Sequence, residues 1–252
     1  MDVRGVAAIV TGGASGLGAA TANALAKAGA KVAVFDVNED GASATARIFG
    51  GIGFRCDVTD DASATQAFEA AAKAHGAARI LVNCAGIAPG KRIVGRDGPM
   101  PLAEFKRVID INLIGTFNMM RLAAAGASKL DPIDGERGVI VSTASIAAFE
   151  GQIGQTAYAA SKGGVAALTI PAARELAQFG IRVMGIAPGI FGTPMLTGLP
   201  QETQESLGAS VPFPARLGDP QEFAELVLFI VRNRYLNGEV IRLDGALRMA
   251  PR

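Results

Sequence analysis

Tryptophan is absent from this sequence, histidine occurs once, at His75, and cysteine and tyrosine occur twice each. A Ser-His-Asp triad or a zinc cluster would have to be built around that single imidazole, which stands beside Gly76 where a helical pattern ends. His75 therefore reads as a helix-terminal residue, and no metal site is expected. Cys56 and Cys84 each fall inside an apolar run that reads as a strand, a setting for buried free thiols rather than a disulfide framework. Net charge is lacking too: 24 basic residues against 23 acidic ones leave no strong field for nucleic acid or a membrane surface. The uncharged stretch from Gly5 to Ala26 is broken by Thr11, Gly12, Gly13, Ser15 and Gly16, so it is not a membrane span. The apolar run after Asp2 and Arg4 is too brief for a secretory signal, and a cytoplasmic location is the expectation.

Half of the 252 residues are apolar, enough for one sizeable core and a single domain over 1–252. Apolar runs at 6–11, 31–36, 53–58, 80–86, 138–143, 181–189 and 238–245 alternate with alanine-rich helical stretches. Their apolarity is continuous, as in strands covered on both faces, and predicts an α/β fold with a seven-stranded parallel sheet between helices. Three connections exceed the usual length: 87–100, 129–137 and 190–218. The first and third leave the carboxyl ends of strands, where open α/β sheets bind ligands, and are candidate substrate walls. The second precedes a strand and reads as a surface excursion. Pro171 removes a backbone donor from the helical pattern "LTIPAAREL" and predicts a kink.

The segment "TGGASGLG" (11–18) follows the first strand and opens the first helix. Gly12 can turn the chain tightly, Gly16 lets backbone approach a pyrophosphate, and Gly18 permits close packing of helix on strand. Asp36 ends the second strand, where a carboxylate can accept hydrogen bonds from the ribose hydroxyls of an adenosine. That choice favours NAD over NADP, because a 2′-phosphate would meet like charge with no basic group at Ala14 or Val37. Asp57 repeats the pattern at the third strand end and could bond the adenine amino group.

In "YAASK", Tyr158 and Lys162 stand four apart and share a helix face. The pair suits either a surface contact or a proton-transfer site. With heads about 5 Å apart, the ammonium would lower the phenol by about two pKa units, while burial would act against it. Ser145 follows the strand 138–143, and Asn112 lies in a long helical stretch from 101 to 128.

These motifs, with "CDV" (56–58), "NCAG" (83–86) and "APG" (187–189), resemble the short-chain dehydrogenase/reductase family across essentially the whole chain. The resemblance implies a Rossmann sheet in order 3-2-1-4-5-6-7. It implies Tyr158 as catalytic acid/base, Ser145 holding the alcohol or polarising the carbonyl, Lys162 lowering the Tyr158 pKa and binding the nicotinamide ribose, and Asn112 holding a relay water. Asn83, Cys84, Ala85 and Gly86, and Pro188 and Gly189, belong to the implied cofactor site. Within the family, "STASIAAFEGQIGQTAYAASKGG" and "LNGEVIRLDGALRM" are similar to the type 2 3-hydroxyacyl-CoA dehydrogenase group. That similarity implies cofactor contacts at Ser15, Leu17, Asp36, Asp57, Val58, Cys84, Phe191 and Thr193, a substrate contact at Gln152, NAD as cofactor and a homotetramer. Lys91, Arg92 and Arg96 could reach the phosphates of coenzyme A or form a solvated loop. Phe191, Met195, Leu196, Leu199 and Phe213 could line a pocket for an acyl chain or a hydroxysteroid ring, or pack a lid. A non-catalytic NAD-binding regulator is the alternative from another class. The apolar stretch "LDGALRMAP" could pack against a neighbouring subunit.

Overall fold

The computed structural model describes residues 1–198 and 200–251, and the side chains of Met195 and Thr197 also lie outside that description. Along the chain run β1 (Ala7–Thr11), α1 (Gly16–Lys27), β2 (Lys31–Asp36), α2 (Glu39–Arg47), β3 (Ile52–Arg55), α3 (Asp61–His75) and β4 (Ile80–Asn83). A hairpin follows, β5 (Val94–Gly95) and β6 (Gly98–Pro99), then α4 (Leu102–Ile109), α5 (Gly115–Ala127) and β7 (Gly138–Thr143). The chain continues through α6 (Thr156–Leu176), β8 (Ile181–Pro188), α7 (Pro194–Thr197), α8 (Gln201–Ala209), α9 (Pro220–Arg232) and β9 (Val240–Leu243).

The large sheet is parallel throughout and ordered β3-β2-β1-β4-β7-β8-β9, which is the expected order with the strands counted along the sheet's own sequence. Every residue of β1, β7 and β8 is buried, which accounts for runs without polar alternation. The two faces are still distinguished. Ala8 and Val10, Val32 and Val34, Ile80 and Val82, and Val139 and Val141 join one core with α1 and α9. The intervening Ile9, Ala33, Phe35, Leu81 and Ile140 join a second core under α3, α5 and α6. Each fully buried large side chain contributes about 1.5–3 kcal/mol, so the two cores hold the sheet from both sides.

Several predicted boundaries shift. β3 ends at Arg55 and β4 at Asn83, so Cys56 and Cys84 lie just past strand ends rather than within them. The reason is local: Asp57 turns the chain by accepting from Thr59 N (2.9 Å), and Thr11 Oγ1 accepts from the backbone of Cys84 and Ala85 (3.2 Å each). Both thiols are free, with Cys56 buried and Cys84 half-buried. His75 ends α3, as expected. The helical stretch 101–128 contains a π-helical turn, Asp110–Ile114, around Asn112. α6 runs on through Pro171 to Leu176.

Candidate active site

A cleft of about 880 Å³ opens along the carboxyl ends of β1, β2, β4, β7 and β8. This is the switch point of the sheet, where β2 and β4 leave β1 in opposite directions and the connecting loops part. Of the expected cofactor residues, all but Asn83 line it: Gly12, Ser15, Gly16, Leu17 and Gly18 in the first loop, Asp36, Asp57 and Val58 after β2 and β3, Cys84, Ala85 and Gly86 after β4, Pro188, Gly189, Phe191 and Thr193 around the end of β8, and Tyr158 and Lys162 on α6. Asn83 is buried beneath, its Nδ2 donating to Ser142 Oγ at 3.2 Å.

One end of the cleft is built for a dinucleotide. A Cβ on Gly12 would come within 2.6 Å of Ala85 N, and Gly16 sits at φ +55, so larger residues are excluded at both. Ser15 caps α1 without a side-chain hydrogen bond, which leaves the first-turn N–H groups of α1 for a pyrophosphate. The Asp36 carboxylate accepts from Ala14 N and Asn38 N, both at 3.0 Å, fixing the glycine loop to the end of β2. A carboxylate has about four acceptor positions, so two remain for ribose hydroxyls. Asp57 uses one oxygen on Thr59 and keeps the other free of bonds among the described residues. The residues present fit a nicotinamide dinucleotide.

At the other end α6 carries Tyr158 and Lys162, and the loop after β7 carries Ser145. Ser145 Oγ accepts from Ala147 N (3.1 Å), which leaves the hydroxyl its own proton as a donor on the cleft side. Lys162 is buried, donates to Thr143 O at 2.6 Å, and sits 6.0 Å from the centre of the Tyr158 ring. Here the electrostatic expectation fails. Burial pushes the Tyr158 phenol above 10.0, and the neighbouring Ser145 hydroxyl only opposes that shift. Lys162 itself is lowered from 10.5 to about 8 by burial, so the ammonium is the destabilised member of the pair. Desolvation is the largest cause of both shifts. Burial also holds the Cys84 thiol up at about 11, which keeps it protonated beside Lys162.

Asn112 does not line the cleft. Its Oδ1 accepts from Ile87 N (2.9 Å), and its Nδ2 donates to Ile87 O (2.9 Å) and Ser161 Oγ (3.0 Å). Fully buried in the π-helical turn, it brackets the loop after β4 against α6 and is a positioning residue. Ser161, which also donates to Tyr158 O at 2.7 Å, was not singled out by its sequence, nor was Thr143; their adjacency to Lys162 and to the end of a strand was the available signal.

The substrate end also departs from expectation. Phe191 and Leu196 line it, but Phe213 is 83% exposed and does not line this cleft; Leu199 and the Met195 side chain lie outside the described residues. Gln152 lines the cleft, yet its Nε2 already donates to Ala250 O at 3.0 Å. Within "LDGALRMAP", Leu247 is buried and Met249 packs against its cluster in the same chain, while Arg248 and Ala250 stay exposed.

A dinucleotide cradle that runs into a Ser-Tyr-Lys group beside an apolar pocket defines an oxidoreductase that uses NAD or NADP. The chain belongs to the short chain dehydrogenase family, whose sequence model matches residues 6–204. It is similar to 3-hydroxyacyl-CoA dehydrogenase type-2 of Homo sapiens, with 50% identity over 255 residues, 99% of this chain and 98% of that one. The protein of the same description from Drosophila melanogaster is 47% identical over 254 residues, 99% of this chain and all of that one. The crystal structure of 3-hydroxyacyl-CoA dehydrogenase type-2 from Mycobacterium avium superposes with a TM-score of 0.93 at 46% identity, covering 98% of each chain. The family argues for an enzyme and against the regulatory alternative.

Proposed function

We propose that this enzyme interconverts 3-hydroxyacyl-CoA and 3-oxoacyl-CoA with NAD. The observation that carries the reading is the placement of Tyr158 and Ser145 where the dinucleotide cradle meets an apolar pocket; the full-length similarity to enzymes named for that substrate supplies the chemistry of the ligand. The bound dinucleotide would exchange a hydride with the carbon bearing the substrate oxygen. Ser145 Oγ–H holds that oxygen. Tyr158, kept protonated by burial at neutral pH, donates to it in reduction and takes the proton back in oxidation. The N–H groups of Lys162 not given to Thr143 are free for ribose hydroxyls. Asp36 supports NAD, since a 2′-phosphate would be set against its carboxylate.

Of the three cations in 87–100, Lys91 pairs with Glu104 at 2.5 Å and its N donates to Gly154 O at 2.8 Å. Arg92 and Arg96 are exposed and, among the described residues, unpaired, so they are the groups we assign to the coenzyme A phosphates. The test is NADH oxidation with acetoacetyl-CoA beside free acetoacetate, and the same thioester with NADPH. Turnover requiring both thioester and NADH supports the reading. Turnover of bulky ketones but no thioester overturns the substrate and keeps the chemistry. We further propose a homotetramer and a cytoplasmic location. Ile114 and Phe117, 49% and 54% exposed around the start of α5, support assembly; light scattering that finds a monomer at micromolar concentration, or fractionation outside the cytoplasm, would overturn these.

A further inference from the structure

After β9 the chain reverses in a turn that is unusually well fixed. Gly245 and Ala246 both adopt the left-handed conformation, at φ 58 and 66. An alanine there carries a cost of order 1–3 kcal/mol and persists only where surroundings impose it. Asp244 imposes it by accepting from Ala246 N (3.0 Å), Arg242 Nε (2.7 Å) and Arg248 Nη1 (3.2 Å). Leu247 N donates back to Asp244 O at 3.0 Å, and Leu247 O accepts from Arg242 Nη2 at 3.0 Å.

The segment that follows is tied to the loop bearing Ser145. Glu150 accepts from both terminal nitrogens of Arg242 (2.8 and 3.0 Å) and lies 3.4 Å from Arg248 Nε. Gln152 Nε2 donates to Ala250 O and Ile153 N to Pro251 O, both at 3.0 Å. The result is a strap across the substrate end of the cleft. Among the described residues of the strap, Met249 is the one in the cleft wall; like Ile190, it packs against the buried cluster of Ile146, Val211 and Leu247. Ile146 comes from the loop of the catalytic serine, Val211 from the segment after β8 and Leu247 from the strap itself, so Met249 joins the two sides of the pocket.

We propose that Met249 determines how large an apolar group the pocket accepts, and that Glu150, Gln152 and Arg248 are positioning residues that hold it there. The inference rests on the acyl-CoA reading only for the nature of that group, the acyl chain. A long unbranched thioether fills irregular space, so truncating it opens room at the pocket end without disturbing the dinucleotide cradle.

The experiment measures kcat/KM with NADH for 3-oxoacyl-CoA thioesters from acetoacetyl to 3-oxohexadecanoyl, and for methyl ketones of rising size. Met249→Ala is expected to raise the ratio of longest to shortest substrate about tenfold, the scale set by a few methylenes in an apolar pocket. Met249→Leu should restore the native profile, and NADH affinity by fluorescence should stay unchanged in both. Gln152→Leu should raise KM with little change in kcat, as a loosened wall requires. A Met249→Ala profile superimposed on the native one overturns the proposal; if that variant does not fold, Met249→Val carries the same reading. Should the native enzyme reduce ketones and no thioester, the acyl-CoA assignment falls and the ketone series alone decides for or against Met249.

Discussion

Tyr158 and Lys162 show how burial reorders a pair that spacing alone would make attractive. Burial favours the neutral phenol and weakens the ammonium, so the proton that the proposed mechanism transfers already sits on Tyr158. Tyr158→Phe removes the proton and leaves the ring. Turnover is expected to fall at least about 10²-fold, the ordinary contribution of a positioned acid or base. NADH binding, read by fluorescence, should be retained; retained turnover would refute the assignment. Lys162 supplies a second prediction. Its pKa is about 8 in the folded chain against 10.5 ordinarily, so between those values the unfolded chain binds more protons. Its contribution to stability is therefore full above 10.5 and lost as pH falls through 8. The shift corresponds to on the order of 3 kcal/mol. In the cofactor-free protein, native stability minus that of Lys162→Met should rise between pH 7 and 10. Taking the difference cancels the opposing titration of Cys56, whose raised thiol weakens the fold as pH climbs and does not feel Lys162. A flat difference in melting temperature across that range would show that burial is not what governs Lys162.

At the level of elements, α9 illustrates a helix fixed at its entry. Asp219 accepts from Gln221 N (2.8 Å), and Glu222 reaches back to accept from Asp219 N (2.8 Å) while pairing with Arg216. The Arg216 guanidinium, with that backbone bond, lowers the Glu222 carboxyl to about 2. This capping box aims Phe223, Val227 and Ile230 into the core shared with α1. Asp219→Ala should cost about 1 kcal/mol by urea denaturation, with kcat unchanged because α9 lends no residue to the cleft. Much of this scale was legible in the sequence. Continuous apolarity at 138–143 predicted β7 to the residue, and Gly12, Gly16 and Gly18 predicted the loop from the room their missing side chains leave. The ends of β3 and β4 were not legible, since the runs stay apolar past Arg55 and Asn83 and only side-chain bonds from Asp57 and Thr11 stop them. Nor was the π-helical turn at Asn112, which has helical periodicity on either side. Its extra residue turns Asn112 toward Ile87 and Ser161, and only the fold brings those together.

Across the whole molecule, chemistry and stability occupy opposite edges of the sheet. The cleft follows the carboxyl ends of the strands, while at the amino end of β8 Arg182 is buried beneath α9. Its guanidinium donates to Ile230 O, Val231 O, Asn233 O and Leu236 O, and to Glu136 Oε1 at 2.7 Å. One side chain thus satisfies the carbonyls at the end of α9 and places positive charge where the helix dipole favours it. Glu136, only 5% exposed, supplies the balancing charge from the connection 129–137, which its sequence suggested was a mere surface excursion. Glu136→Leu leaves that guanidinium buried without its anion, and such a change costs about 3–5 kcal/mol. Glu136→Gln, which keeps an acceptor and drops the charge, should fall between the variant and the native chain. Because no atom of this staple borders the cleft, kcat per folded molecule should stay within about twofold in both, by the independence of distant sites. Urea midpoints lowered in that order with turnover intact would establish the separation. Turnover lost in a variant still folded would mean that the amino edge governs the geometry of Ser145 and Tyr158 through the length of β7 and β8.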